Sequence, residues 1–571
     1  ASNGLTTLRA AIQEANALTG HQPIYFYIPG TAPYIIQPES VLPSITEQVS
    51  LNATTQKGYL GSPVVQVNGS NGGLTITGGS STMRGLALNN SAGYSLTLSP
   101  AGGNIIQSNR IAGILINSTG NNINGNTVSN SFANGISINS GAIDNLIGNS
   151  SANNISGNAG YGISISSANG NQILNNTFGT NGLGGILISN SAGNVTGNTI
   201  SGNSGFGLTL NSGTGSQISN NTIGTNTGGG VSISNGGGNL NGNIITGNTG
   251  FGISVTAGTG NQITDNTVSS NTLGGISLSN SSVTLTLNAI TTNLGSGLIL
   301  NSSNGSSITQ NTLSGNSGLG INVSTSNGNL ITNNSVMTNT LGGISIINSV
   351  GNLIGNTVLG NYAFGISLNT VSGITLSENE ISGNLSNGLI INGSANQILY
   401  NTFFNNSASG VLVASGNHNT ILNNSIYGNT NLGIELAAGT NDSQQYPTLN
   451  TLYTWQDESA LPEIKGGSAI DGVLNGVPGQ NYKIQFFANS SSSNREGKRF
   501  LGEIITTTDI AGVSEFLANL KDAVLETGEV VSATATKLDV DSISLSTSEF
   551  SAPIERATDA GNHYIVNSTL A

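Results

Sequence analysis

Short runs of alternating apolar and polar residues recur along most of this chain. After a glycine the sequence reads GISIS, GLTLN, GVSIS or GISLS. Alternation with a period of two predicts a β-strand with one buried face. A second short strand is predicted at a recurring Asn-Thr-Ile motif, and clusters of Gly and Asn between the runs indicate turns. No helical period separates these runs, so the pattern predicts strands joined without helices.

The glycine that opens each run recurs at a nearly constant step. Apart from one step of 27 residues, all steps are 22 or 23 residues long. The glycines are Gly113, Gly135, Gly162, Gly185, Gly207, Gly230, Gly252, Gly275, Gly297, Gly320, Gly343, Gly365, Gly388, Gly410 and Gly433. Short strands at this step are typical of one coil of a parallel β-helix. Leucine-rich repeats have a similar step, but they need a Leu-rich consensus and a helical segment.

Two columns of asparagine accompany the glycine, and each Asn of the second column follows one of the first by five residues. The first column includes Asn198, Asn221, Asn243 and Asn266, and the second includes Asn203, Asn226, Asn248 and Asn271. Asn tolerates the left-handed backbone of sharp corners, and its amide can both donate and accept hydrogen bonds. We expect a structural Asn ladder at the corners. The alternative is a sugar-binding or ice-binding array, although an ice-binding surface would need an uninterrupted Thr column.

Large apolar residues alternate between two positions near the glycine. Tyr161, Phe206, Phe251, Leu319 and Phe364 stand directly before it, whereas Leu183, Leu273 and Leu341 stand one place earlier. This stagger would let large side chains interdigitate. We interpret it as core or corner packing rather than as an aromatic binding stripe.

The repeat defines the predicted domain boundaries. TLRAAIQEANA predicts an amphipathic N-terminal cap helix with Leu8, Ala11, Ile12 and Ala15 on one face. After residue 464 charges return and longer strands with polar turns predict a β-sandwich. The predicted parts are a cap with irregular coils (1–110), regular coils (111–440), a linker (441–464), a sandwich (465–553) and a strand-like tail (554–571).

Charged residues are few, and most of them are acidic. Only 6% of the 571 residues are charged, the net charge is −13, and cysteine is absent. Residues 111–464 hold nine acidic groups and no Lys or Arg. Such a surface is a poor partner for nucleic acid or anionic lipid. Without cysteine, disulfide scaffolds and thiolate sites are excluded, and no apolar run is long enough for a transmembrane helix.

The segments TLRAAIQEAN, YIIQPESVLPSIT and the C-terminal IQFFANSSSSNREGKRFLGEIITTTDIAGVSEF resemble those of bacterial right-handed parallel β-helix repeat proteins. That resemblance implies an all-β chain: a right-handed parallel β-helix with a helical cap, followed by an immunoglobulin-like β-sandwich. It also implies an exported or surface protein. The wider pectin-lyase-like superfamily includes lyases, hydrolases and epimerases that act on polysaccharides.

Candidate catalytic residues are few. A lyase base is not expected on the coils, because residues 111–464 hold no Lys or Arg. Asp265 and Glu378 occupy equivalent positions but lie five coils apart, about 24 Å at the strand spacing. Glu378 and Glu380 form the one close acidic pair, which we interpret as a solvated acidic spot. His418 and Glu435 are less than one coil apart, so stacking does not bring them together.

Asp539 and Asp541 in KLDVDS raise one cofactor question. They could hold calcium, although a plain acidic turn explains them as well. We expect no other cofactor and no other metal.

These patterns favour a non-enzymatic, extracellular or cell-surface bacterial protein, a rod-like subunit of a surface layer, filament or adhesin. We expect self-association, with the tail donating a strand to a neighbouring molecule. Carbohydrate or other surface proteins are the further partners we expect, without nucleic acid or membrane insertion. The alternative is a β-helix protein that binds or processes polysaccharide.

Overall fold

A computed structural model of the chain describes residues 6–69, 72–89, 93–455, 466–490 and 495–557. Its contacts divide the chain into two compact units, Ala1–Ser335 and Val336–Ala571. A strand at Ser335–Met337 contains the boundary between them.

The first unit begins with the predicted helix, Leu8–Ala17. The hydroxyl of Thr7 accepts a hydrogen bond from the Ala10 amide and caps the helix, as N-terminal amides require. Leu8, Ile12 and Ala15 are buried, so the amphipathic face faces the first coils.

Each coil of the first unit contributes three short strands to three parallel sheets, which we number in chain order. Sheet 1 contains Gln22–Tyr25, Val49–Asn52, Thr82–Arg84, Ile105–Gln107, Asn122–Asn124, Leu146–Gly148, Asn171–Leu174, Gly193–Thr196, Thr214–Ser219, Gly237–Asn241, Thr259–Thr264, Ser282–Thr286, Ser307–Thr309 and Asn329–Thr332. Sheet 2 contains Tyr34–Ile36, Val65–Asn68, Leu86–Asn89, Arg110–Ile111, Thr127–Ser129, Asn154–Ser156, Thr177–Gly179, Thr199–Ser201, Thr222–Gly224, Ile244–Thr246, Thr267–Ser269, Ala289–Thr291 and Thr312–Ser314. Sheet 3 contains Leu74–Ile76, Leu96–Leu98, Ile114–Ile116, Ile136–Ile138, Tyr161–Ser166, Gly184–Ser189, Phe206–Asn211, Gly229–Ser234, Phe251–Thr256, Gly274–Ser279, Ser296–Asn301 and Leu319–Ser324. A 3-10 turn at Ala53–Thr55 follows the second strand of sheet 1.

The second unit repeats this coil and then adds two antiparallel sheets. Its coil strands are Gly342–Ile347, Gly351–Ile354, Thr357–Leu359, Ile366–Asn369, Thr375–Ser377, Glu380–Ser382, Leu389–Asn392, Gln397–Leu399, Thr402–Phe404, Val411–Ser415, Thr420–Leu422, Ser425–Tyr427 and Ile434–Leu436, with a 3-10 turn at Asn441–Ser443. One antiparallel sheet contains Thr448–Trp455, Gly467–Asn475 and Val513–Lys521. The other contains Arg499–Thr507, Asn481–Asn489, Val530–Leu538 and Ser544–Thr547.

In-register pairing stacks similar apolar side chains along the coils. Ile200 pairs with Ile223, and Leu208 pairs with Val231. The inward side chains form a continuous apolar core whose members are almost all fully buried. Strand-to-strand stacking of this kind is the defining interaction of a β-solenoid. The predicted all-β parallel β-helix with a C-terminal antiparallel β region is confirmed.

One strand of every coil was not predicted from the sequence, namely the one between the glycine run and the next Asn of the first column. The structure places a sheet 1 strand there, as in Asn171–Leu174 and Gly193–Thr196. Each of these two strands turns one large apolar side chain inward, Ile173 or Val195. A single inward residue gives no visible period of two, so the pattern could not reveal the strand.

The Asn ladder is confirmed. The Asn198 side-chain amide donates to Asn221 Oδ1 at 3.0 Å, and the Asn198 backbone amide donates to the same oxygen at 2.9 Å. The second ladder repeats this arrangement from Asn203 to Asn226. The eight Asn side chains singled out from the sequence are at most 1% exposed. Every coil therefore satisfies the buried polar groups at the corner of the coil before it.

The sequence suggested that the ladder Asn itself adopts the left-handed backbone at each corner. In the structure the residue directly before the ladder Asn adopts it. Asn220 has φ 54° before the ladder residue Asn221, and Thr225 has φ 55° before Asn226. Its backbone turns the chain, and this frees the next side chain to point inward. Because the corner residue faces solvent, Asn, Asp, Ser, Thr and Gly all occur there.

The recurring glycine has a steric cause. A Cβ on Gly230 would lie 2.4 Å from the Gly252 carbonyl oxygen and 2.4 Å from Ile245 Cγ2. It would also lie 3.2 Å from Asn248 Nδ2 of the second ladder. Only glycine leaves room for the ladder amide and the core Ile at this corner.

The C-terminal antiparallel sheets share an apolar core that includes Leu452, Ile470, Tyr482, Phe486 and Val531. Their first strand, Thr448–Trp455, lies inside the segment that the sequence suggested as a linker. Residues 558–571 of the predicted strand-like tail lie outside the described residues.

The ladder should carry much of the stability of the first unit. Asn221→Ala removes the acceptor for two Asn198 donors and the donor to the Val195 carbonyl and to Asn243. Because each unsatisfied buried group costs about 1–3 kcal/mol, we expect the free energy of unfolding to fall by about 3 kcal/mol. Urea unfolding measures it. The exposed Asn194→Ala on the neighbouring coil is the control, and equal losses would contradict the ladder role.

Gly230→Ala should also destabilise the first unit, by about 3 kcal/mol, because the new Cβ overlaps backbone and core atoms. Gly179→Ala is the matched control, since the nearest neighbour of a Cβ there, the Ser201 carbonyl oxygen, would lie at 3.5 Å. Thermal unfolding of both variants tests the difference. A tolerated Gly230→Ala would mean that the corner relaxes and that the glycine is not required.

Candidate functional site

An apolar stripe runs along the outer corner between sheets 2 and 3 of the first unit. We call it the corner stripe, and its members are Tyr161, Leu183, Phe206, Phe251, Leu273, Leu294 and Leu319. Leu183, Leu273 and Leu294 are 55%, 57% and 63% exposed. The three aromatic rings are partly exposed. A contiguous row of exposed apolar side chains on a soluble surface is typical of an interaction site.

The aromatic rings lie on glycines of the neighbouring coil. Tyr161 pairs with Gly184, Phe206 with Gly229, and Phe251 with Gly274. A Cβ on Gly229 would lie 2.5 Å from the Phe206 ring, and one on Gly184 would lie 3.0 Å from the Tyr161 ring. At the adjoining glycines, such as Gly207, a Cβ would point into the core. Because side chains alternate along a strand, the ring before each of these glycines points outward.

The three aromatic residues of the stripe recur with a period of two coils. Tyr161, Phe206 and Phe251 are spaced 45 residues apart, the sum of one step of 22 and one of 23. They occupy one register position, with glycine in the coils between them. Neighbouring strands are about 4.8 Å apart, so successive rings are about 9.6 Å apart. The rigid coils therefore fix three rings in a straight row.

Uncharged polar side chains flank the stripe. On one side the residues after the second ladder are exposed hydroxyls, namely Ser204, Thr227, Thr249 and Thr272. On the other side the outer face of sheet 3 presents Ser164, Thr209, Ser232, Ser254 and Ser277. Residues 111–335 contain two charged groups, and they lie at the two other corners: Asp265 precedes Asn266 of the first ladder, and Asp144 precedes Asn145 between sheets 3 and 1. The surroundings of the stripe therefore offer hydroxyl hydrogen bonds without a charge.

The sequence suggested core or corner packing for these large residues, rather than an aromatic binding stripe. The structure differs, because the Leu side chains face solvent and the rings cover glycines on the outer surface. The stagger between the two positions was visible in the sequence. Its exposure was not, because the inward glycine that turns the preceding residue outward is recognised only from the coil geometry.

The weak acidic candidates do not form a pair on one strand. Glu378 has φ 58° and occupies the turn before the buried Asn379, whereas Glu380 begins the strand Glu380–Ser382. Both carboxylates are exposed. Glu380 lies between Thr357 and Thr402 on the outer face of sheet 2.

The other acidic candidates have structural partners. His418 Nε2 lies 3.2 Å from Asp442, and Glu435 instead accepts a short hydrogen bond from the Ser409 hydroxyl. Asp539 Oδ1 accepts hydrogen bonds from the amides of Asp541 and Ile543, so this carboxylate caps its own turn. Among the described residues, no group of three or more His, Cys, Asp or Glu is placed to hold a metal ion.

Glu496 was not recognised from the sequence. Its carboxylate is 7% exposed and accepts from the Asn429 backbone amide at 2.8 Å and from Gly428 at 2.9 Å. Asn429 is the last residue of the second ladder, so Glu496 occupies the place of the next ladder Asn. Burial raises the pKa of this carboxyl, and the hydrogen bonds from Gly428 and Asn429 partly offset the rise.

Two protein-family models match the chain. A right-handed β-helix region matches residues 112–268 and 252–369. The periplasmic copper-binding protein (NosD) model matches residues 315–454. With the strand pairing, these matches confirm the resemblance to right-handed parallel β-helix proteins. No curated protein sequence matches the chain. Within the described residues, no helix has the length and apolar character needed to cross a membrane.

Copper does not fit this chain. Within residues 315–454 the histidine and the methionine that copper would favour are His418 and Met337, and there is no cysteine. His418 is paired with Asp442.

Several solved structures are similar in fold. The Dettilon tailspike protein is 13% identical over 76% of this chain and 88% of its own, with a TM-score of 0.34. The mannuronan C-5 epimerase AlgE4 A-module of Azotobacter vinelandii is 14% identical over 68% and 94%, with a TM-score of 0.28. DFA-IIIase of Arthrobacter chlorophenolicus A6 is 15% identical over 62% and 89%, also with a TM-score of 0.28.

The expectation of a non-enzymatic protein is corrected by this comparison. Two of the three structures are enzymes, an epimerase and DFA-IIIase, so a coil of this kind does not exclude enzymatic activity. At these identities and TM-scores, the likeness gives the chain no activity of its own.

Glu496, which occupies the place of the next ladder Asn, should make the stability of the second unit depend on pH. Because its pKa is raised in the folded state, the native carboxyl binds a proton more readily than the unfolded one. The stabilisation that this carboxyl contributes to the folded state is therefore complete below the ordinary pKa of 4.5. It is lost as the pH rises through the raised pKa.

We expect the stability difference between the native chain and Glu496→Gln to change across that pH window, because Gln does not titrate. Thermal unfolding from pH 4 upward measures it. The exposed Glu515→Gln in the same unit is the control. A stability difference between the two proteins that stays constant with pH would contradict a role for the titration of Glu496.

Proposed function

We propose that this chain is a polysaccharide-binding β-helix protein and that the corner stripe is its binding surface. The observation that carries the proposal is the row of partly exposed rings at Tyr161, Phe206 and Phe251, bordered by hydroxyl side chains and free of charge. This function is the alternative from the sequence analysis, and the tailspike, epimerase and DFA-IIIase similarities are compatible with it.

The chemistry of sugars supports this choice. A pyranose has apolar C–H faces and a rim of hydroxyls, so it suits an aromatic surface with polar borders. The Phe206 and Phe251 rings supply the apolar contact, and Ser204, Thr227 and Thr249 supply donors and acceptors beside it. An acidic polymer would find no Lys or Arg in residues 111–335. The surface therefore suits a neutral glycan.

An exported location accords with this function. The family model that matches residues 315–454 is described as periplasmic, and we propose a secreted or cell-surface location on that basis. Self-association is a second proposal, supported by the same exposed apolar side chains, since a further copy of the chain could cover them.

Removing two rings should weaken glycan binding. The double variant Phe206→Ala and Phe251→Ala loses two stacking surfaces, and at about 1 kcal/mol each we expect affinity to fall by at least tenfold. A glycan array identifies the ligand, and isothermal titration calorimetry measures its affinity. Product analysis on the same samples shows whether the bound glycan is also processed.

The control is Tyr27→Ala, which removes an aromatic side chain that is 87% exposed in the N-terminal coils. Unchanged binding by the double variant would place the site elsewhere. Concentration-dependent oligomers that the double variant abolishes, without any glycan binding, would replace the proposal with self-association.

A further inference from the structure

We infer that the corner stripe takes an extended, uncharged, β-1,4-linked polysaccharide, with one aromatic ring under every second sugar. This inference rests on the proposed function and adds the linkage and register of the ligand. It depends on the two-coil period of Tyr161, Phe206 and Phe251.

The distance between the rings is fixed by the fold. They belong to strands of one parallel sheet and occupy one register position, so their separation is set by backbone pairing. Two strand spacings give about 9.6 Å between rings, and three rings span about 19 Å. This distance is close to the disaccharide repeat of a flat β-1,4-linked ribbon, in which successive sugars are turned by half a turn.

The alternation of side chains matches the alternation of sugars. Because neighbouring sugars of such a ribbon are reversed, every second sugar presents the same face to the surface. The coils between the rings place Gly184 and Gly229 at the same register position, so the surface is also non-equivalent from coil to coil. A surface that repeated in every coil would not distinguish alternate sugars of the chain.

The geometry disfavours other glycans. A helical α-1,4-linked glucan curves away from a straight row and cannot reach all three rings together. A polyuronate would bring one carboxylate per sugar to a region without Lys or Arg. Because the rings are held by the coils before binding, little ordering cost offsets the contacts of a matching chain.

Ligand length provides the test. A trisaccharide can cover two rings and a pentasaccharide can cover three, so affinity should rise in steps at these two lengths. We expect a gain of about fivefold at each step and little change from trisaccharide to tetrasaccharide. The probes are cello-, xylo- and chito-oligosaccharides from disaccharide to hexasaccharide, compared with malto-oligosaccharides, all titrated by calorimetry.

Phe251→Leu should abolish the step at the pentasaccharide and leave the step at the trisaccharide, because it keeps an apolar side chain while removing the ring. Tyr27→Ala should leave both steps. Thermal unfolding checks that each variant is folded.

Equal gains for every added sugar, or equal binding of malto-oligosaccharides, would overturn the register while leaving polysaccharide binding intact. If no glycan of either linkage binds, both the inference and the proposed function are wrong.

Discussion

The satisfaction of buried amides at the corners is the constraint on which the coils depend. A polar backbone that turns sharply inside a close-packed protein needs a partner for each N–H and C=O group. The ladder side chains supply it without a charge, since each Asn accepts two hydrogen bonds from the coil before it, as Asn221 does from Asn198. The glycine column follows from the same crowded corner, because a Cβ there would meet the next coil's carbonyl oxygen, a core side chain and the ladder amide.

Much of the fold could be predicted because the same constraint is repeated so many times. The period, the two Asn columns and the cap helix were all visible as residue patterns. The third strand of each coil was not, because a strand such as Gly193–Thr196 buries one large side chain. The corner between sheets 3 and 1 was also missed, because its column mixes Asn, Gly and Ser: Asn121 donates to Asn145, whereas the Gly193 amide donates to the Ser216 hydroxyl oxygen.

The candidate site was harder to predict than the fold. Its residues were noticed as a stagger, yet their exposure depends on which way a residue points beside an inward glycine, as Phe206 does beside Gly207. Glu496 gave no signal, because a lone acid in a charged loop acquires its meaning only from the ladder end that it meets. Searching for paired carboxylates drew attention to Glu378 and Glu380, where the structure shows two exposed side chains on either side of a buried Asn.

The direction of the second ladder has an electrical consequence. From Asn361 through Asn384 and Asn406 to Asn429, each side-chain amide donates toward the next coil, so the amide dipoles point the same way. Their sum leaves partial positive charge at the C-terminal end, as at the start of an α-helix. The carboxylate of Glu496 meets that end. A column built without formal charges therefore ends at a carboxyl group of the same chain, whose oxygens accept the hydrogen bonds of its last coil.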